Sequence, residues 1–167
     1  MKKHKFTQNA YPVMVLQALE AGYTKYDEIQ SYIKSQYSTS ISTKTIYRHI
    51  KLVMSLGFKI IDKSPYVIWP DGKKQLVTND EKFGHAAYPL MILVALQSEC
   101  KFYDGIIERI YFMYKTKIER KAIGRNMKLL GELRYRIFDP IFYISYQLGG
   151  SDPSTYTFRG TYQPCFV

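Results

Sequence analysis

The sequence has little that small-molecule chemistry would use. Its two cysteines, Cys100 and Cys165, stand 65 positions apart in a chain of 167 and make no CxxC spacing, which excludes a disulfide framework and a cysteine-based zinc site. Histidine occurs only at positions 4, 49 and 85, without the clustering of metal ligands. There is no Gly-rich phosphate loop, and no nucleophile stands in a recognisable arrangement with a histidine and an acid. The expectation is a protein that is not an enzyme and uses no cofactor and no metal. Two unpaired, reduced thiols suit the cytoplasm.

Long hydrophobic runs are also missing. The head "MKKHKF" followed by "YPVMVLQAL" has the outline of a signal peptide, yet a near copy, "AAYPLMILVAL", recurs at residues 86 to 96, where no signal could be cleaved. Both segments are about ten residues long, too short to cross a bilayer. They read as core helices, with no membrane partner. Acidic residues are few as well: 14 against 24 Lys and Arg, a formal net charge of +10 and a sequence pI near 9.5. That balance favours a polyanionic partner, nucleic acid first.

What is abundant is repetition. Sliding the chain by 77 positions lays residues 10–62 over 87–139 without a gap, with 22 identities in 53 pairs. "AYPVMVLQAL" meets "AYPLMILVAL", Tyr26-Asp27 meets Tyr103-Asp104, and Lys44-x-Ile46-x-Arg48 meets Lys121-x-Ile123-x-Arg125. A period this long makes each copy a small domain rather than a solenoid unit. The boundaries read as domain 1 over 1–72, a linker over 73–84 within the Pro, Gly, Asn and Asp cluster "PDGKKQLVTNDEKFG", and domain 2 over 85–167.

Inside the first copy, Pro12 and Gly22 bracket a helix of about ten residues. Thr24-Lys25-Tyr26-Asp27 has the form of a capping box opening a second helix, whose buried stripe is Ile29, Ile33 and Tyr37. Ser42 caps a third helix, which Gly57 closes in the left-handed conformation. The period then falls towards two through "FKII", a turn at 62–65 and "YVIW", a β-hairpin. The fold class that follows is mainly α with small β wings: two tandem winged-helix, or helix-turn-helix, domains. The second copy predicts helices near 88–98, 103–115 and 119–133, a hairpin over 135–147 and a last strand near 155–161.

The third helix carries more than a core needs. Ile46, Ile50, Val53 and Leu56 form its apolar face, while Thr43, Lys44, Tyr47, Arg48 and Lys51 share another. Residues 41–60 hold four basic side chains and no acidic one. Such a helix fits a DNA major groove, Lys44 and Arg48 serving base edges or nearby phosphates, and Thr43, Tyr47 and Lys51 serving the backbone. Ser42 and Thr45, at the helix start, and Lys63, in the hairpin turn, complete the first copy's candidate DNA-binding set. His49 reads as a partly exposed surface residue beside this face. In the second copy the corresponding residues are Lys117, Arg120, Lys121, Arg125 and Lys128, within a stretch of eight basic and two acidic residues at 115–136. That copy replaces Ser42 by Glu119, Tyr47 by Gly124 and Gly57 by Arg134, so its cap, helix propensity and exit differ. "MKKHKF" reads as a solvated terminus, with an arm entering a minor groove as the alternative, and Arg159 as a phosphate contact from its location alone.

"ISTKTIYRHIKLVMSLGFKI" resembles the helix-turn-helix core of bacterial DeoR-type regulators and of regulators carrying a WYL domain, through Ser42, Thr45, Ile46, Arg48, Ile50, Val53 and Gly57. Val53 stands where that pattern has Leu. The resemblance covers about residues 10–70 and implies sequence-dependent binding of double-stranded DNA. It does not extend to a ligand domain, because a second copy takes that place.

Three functions remain open on sequence grounds. One is a bacterial, phage or plasmid transcriptional regulator. Another is a replication or partition protein of a mobile element binding repeated sites. The last is a winged-helix protein-interaction module, such as a phage inhibitor of a host enzyme. A homodimer is an open partner: the aromatic-rich "IIERIYFMY", 106–114, reads first as core packing, with a dimer face as the alternative.

Overall fold

The computed structural model describes residues 6–77, 83–98, 100 and 102–135. Among these the protein is mainly helical with one small antiparallel sheet. Its helices are α1 (Tyr11–Glu20), α2 (Tyr26–Tyr37), α3 (Thr43–Ser55), α4 (Tyr88–Gln97), α5 (Tyr103–Tyr114) and α6 (Arg120–Glu132). Every element of the second set starts and stops 77 residues after its counterpart, including the 3-10 turns Gln8–Ala10 and His85–Ala87 that lead into α1 and α4. The hairpin expected over 135–147 and the strand near 155–161 lie outside the described residues, as do Arg159, Cys165 and residues 1–5 of the amino-terminal arm.

Contacts divide the chain into two compact units, Met1–Pro70 with Gly84–Leu90, and Asp71–Phe83 with Met91–Val167. The described part of the Pro- and Gly-containing joint is held rather than dangling. Leu76 and Val77 both donate from their backbone N–H to the Met113 carbonyl, at 3.0 and 3.1 Å, and Arg109 Nη1 donates to the Gly72 carbonyl at 2.6 Å.

In the first unit α1 is the central helix and packs on both α2 and α3. Seven of its ten residues are buried, as a helix that is apolar all round requires. Pro12 lies in its first turn, where no backbone N–H is missed. Ile29 and Ile33 of α2 and Ile46 and Val53 of α3 are fully buried, each contributing about 1.5–3 kcal/mol by removal from water. Ser42 caps α3 as expected, its Oγ accepting from the Thr45 N–H at 3.2 Å. The capping box predicted for α2 does not form: Lys25, not Thr24, is the cap residue, and no side chain bonds the helix start. Asp27 and Glu28 in the first turn supply negative charge to the positive end of the helix dipole instead.

Helix exits repeat too. Gly57 has φ +96°, with its N–H on Met54 O and the Phe58 N–H on Val53 O, the paired bonds of a Schellman ending. The second copy builds the same pair, Arg134 N–H to Gly131 O and Tyr135 N–H to Leu130 O, although Arg134 must adopt φ +74° to do so. Beyond Gly57 the strands β1 (Lys59–Ile60) and β2 (Val67–Ile68) pair antiparallel, Lys59 opposite Ile68 and Ile60 opposite Val67. Trp69 pins this hairpin to α1: its Nε1 donates to Glu20 Oε1 at 3.0 Å and its ring meets Phe58 edge-on at 5.1 Å.

Candidate nucleic-acid interface

The amphipathic spacing of α3 places its residues as the sequence predicts, with one correction. Thr43, Lys44, Tyr47, Arg48 and Lys51 are exposed, while Ile46, Val53 and Leu56 are buried and Ile50 is half-buried. Ser42 is exposed at the cap and Thr45 half-buried one turn on. The correction is His49, which is 7 % exposed rather than a surface residue. It lies three positions from Ile46 and four from Val53, so the helix turns it onto the core-facing stripe. Burial, reinforced by the positive charge of Arg48, pushes its imidazole down to about 4, so it is neutral at physiological pH.

The exposed ridge is internally braced. The Lys51 ammonium sits 4.6 Å from the centre of the Tyr47 ring, and Tyr47 meets Tyr26 of α2 edge-on at 6.3 Å. Hydrogen bonding to Tyr47, with a coulombic contribution from the same side chain, holds the Lys51 pKa above its ordinary value, so the charge persists at any physiological pH. Among the described residues Lys44, Arg48 and Lys51 form no ion pair. Lys63 is exposed in the turn between β1 and β2. A concave stretch of about 640 Å³ runs along the flank of α3 past Asn9, Thr45, Arg48 and Leu52.

In the second unit, Lys121, Arg125 and Lys128 of α6 are exposed at the same i, i+4, i+7 spacing as Lys44, Arg48 and Lys51. Lys117 is exposed in the segment before the helix. Arg120 is exposed but engaged: its Nη1 pairs with Asp104 Oδ1 at 2.8 Å and its guanidinium lies over the Tyr103 ring at 5.6 Å. Glu119 stands at the cap position without a side-chain bond to the helix. Asn126, the counterpart of His49, is likewise buried and satisfies itself on the Ala122 carbonyl at 2.7 Å. Of the "IIERIYFMY" stretch, Ile106, Ile110, Met113 and Tyr114 are core, while Tyr111 and Phe112 are 45 % and 42 % exposed.

The repeat also reaches further back than the aligned blocks. Phe6 meets Tyr37 edge-on at 5.4 Å, and Phe83 meets Tyr114 in the same way at 5.9 Å. Both phenylalanines fall on the 77-residue offset, four positions ahead of the block that carries the identities. Extending the comparison by those positions would have found them.

Among the described residues no group of His, Cys, Asp and Glu could hold a metal, and no helix is long and apolar enough to cross a membrane. Comparison with protein-family models, with curated proteins and with solved structures gives no match for this chain.

Proposed function

We propose that this protein binds double-stranded DNA in a sequence-dependent way, as a regulator built from two tandem winged-helix domains, with α3 and α6 lying in major grooves. The observation that carries this reading is the α3 surface. Five exposed residues on one helical face include three cations, Lys44, Arg48 and Lys51, with no acidic side chain anywhere in the helix. Core packing alone does not call for such a ridge, whereas a groove-reading helix needs both side chains that reach bases and flanking positive charge. In this reading the exposed Lys63 turn acts as a wing that touches backbone phosphate, and binding at a promoter or an origin would occlude or recruit other machinery.

A second reading, a protein-interaction module or self-associating regulator, draws on the exposed Tyr111 and Phe112 of α5. The two are separated by titrating a labelled random-sequence duplex with the full chain at several salt concentrations. With six to ten phosphates neutralised, affinity falls by roughly 10³ to 10⁵ between 50 and 200 mM salt. Lys44→Ala with Arg48→Ala weakens binding. Salt-independent binding, or unchanged affinity in the double variant, defeats the proposal.

A further inference from the structure

The two copies present the same three cations on unlike surfaces, and the difference lies at two positions of the ridge, Thr43 and Tyr47 in the first copy against Arg120 and Gly124 in the second. In the first copy Tyr47 projects from the middle of α3, 45 % exposed and propped by Tyr26, itself 42 % exposed. In the second copy that position is Gly124, and Tyr103, the counterpart of Tyr26, lies against it with only 3 % exposure. A Cβ added at Gly124 would stand 3.3 Å from the Tyr103 hydroxyl oxygen. The absence of a side chain at 124 leaves Tyr103 its seat, with the Arg120 guanidinium over its ring at 5.6 Å, so where the first copy has an aromatic knob the second has a closed floor. Arg120, at the start of that floor, is already paired with Asp104.

Base discrimination needs a side chain held rigidly and projecting into the groove, while phosphate binding needs only positive charge at the right spacing. Resting on the DNA-binding reading above, we infer that the first copy alone discriminates sequence, with Tyr47 as a specificity-determining residue in place of the backbone role its spacing suggests and the cations of both ridges serving nearby phosphates, and that the second copy grips the sugar-phosphate backbone through Lys121, Arg125 and Lys128. The braced ring edge of Tyr47 suits apolar contact with a thymine methyl group.

The test uses the full chain and two duplexes, one selected from random DNA for tight binding and one a scrambled version of it. The quantity read is the ratio of the two affinities. Tyr47→Ala, at an exposed helical position, lowers that ratio by about tenfold or more, as loss of one good base contact does. Replacing Lys121, Arg125 and Lys128 by Ala together weakens both duplexes equally, leaves the ratio unchanged and reduces the salt slope by about three. A circular dichroism spectrum matching wild type confirms that each variant is folded. An unchanged ratio in Tyr47→Ala, or a ratio that collapses in the triple variant, overturns the inference while leaving DNA binding intact. Absence of binding to any duplex instead overturns the function on which it rests.

Discussion

The first unit holds two groups whose titrations oppose one another, so its stability should be nearly independent of pH just where each group alone would make it steep. Burial pushes the Glu20 carboxyl up to about 7 from 4.5, against the partly offsetting hydrogen bond from Trp69. A raised carboxyl means that the folded protein keeps a proton the unfolded chain has released, so Glu20 erodes stability as pH rises from 4.5 to 7. His49 does the reverse: lowered to about 4 from 6.5, it stays neutral when folded while the unfolded chain protonates, so its contribution is lost as pH falls from 6.5 to 4. Each shift corresponds to about 3 kcal/mol, which solvent screening of partly accessible groups reduces to about 2 kcal/mol. Between pH 4.5 and 6.5 one proton is gained and one lost, and the slopes cancel.

Removing either partner exposes the other. Glu20→Gln keeps an acceptor for Trp69 but not the charge; its stability then rises by about 2 kcal/mol from pH 4.5 to 6.5, and at pH 8 it exceeds wild type by a similar amount. His49→Asn installs the residue the second copy carries at this place, and its stability falls over the same interval. Trp69 is the only tryptophan in the chain and sits on Glu20, so its fluorescence in urea titrations reports this unit. With an m-value of about 1 kcal/mol/M, the change moves the urea midpoint by about 2 M. A wild type with a steep slope in this interval, or two variants with slopes of the same sign, would refute the pairing.

The remaining predictions concern backbone and caps. Arg134→Gly relieves a non-glycine residue at φ +74° and should stabilise the second unit by about 1 kcal/mol, read as a higher thermal midpoint; no gain would mean that the Arg134 side chain compensates. Ser42→Ala removes the only side-chain cap of α3 and should cost about 1 kcal/mol, while Glu119→Ala, at a cap without such a bond, should leave stability within about 0.5 kcal/mol, both measured by denaturant titration. Gly22→Ala should be more damaging than either, because Gly22 has φ +97° and an added Cβ would stand 3.1 Å from the Tyr66 ring. Thermal melts that leave Gly22→Ala as stable as wild type would contradict that geometry.

The helices were legible because a single displacement of 77 residues aligns apolar periods, tyrosines and turn residues together. Three features were not legible, each for a physical reason. Thr24 looked like a cap because Asp27 follows at capping-box spacing, but the chain enters α2 one residue later and a helix start can rely on acidic first-turn residues alone. His49 looked like surface because histidine is costly to bury charged; the helix buries it neutral, which composition cannot reveal. Tyr26 and Tyr103 are identical residues at equivalent positions, so no local pattern separates the exposed ring from the buried one. The difference goes with two residues 17 and 21 positions further on, where Thr43 and Tyr47 of the first copy correspond to Arg120, which lies over the Tyr103 ring, and Gly124.

After duplication the core is constrained twice over, and the buried sets Ile29, Ile33, Ile46 and Ile106, Ile110, Ile123 are the same residues at the same places. Cations spaced i, i+4, i+7 survive in both copies although no packing requires them. What differs is two positions lying among them, Thr43 against Arg120 and Tyr47 against Gly124. A substitution to Gly costs a helix about 1 kcal/mol, and here Tyr103 recovers part of that by covering the vacated surface. On the DNA-binding proposal, shared charge with differing relief is the pattern expected where both copies touch phosphate and one of them touches bases.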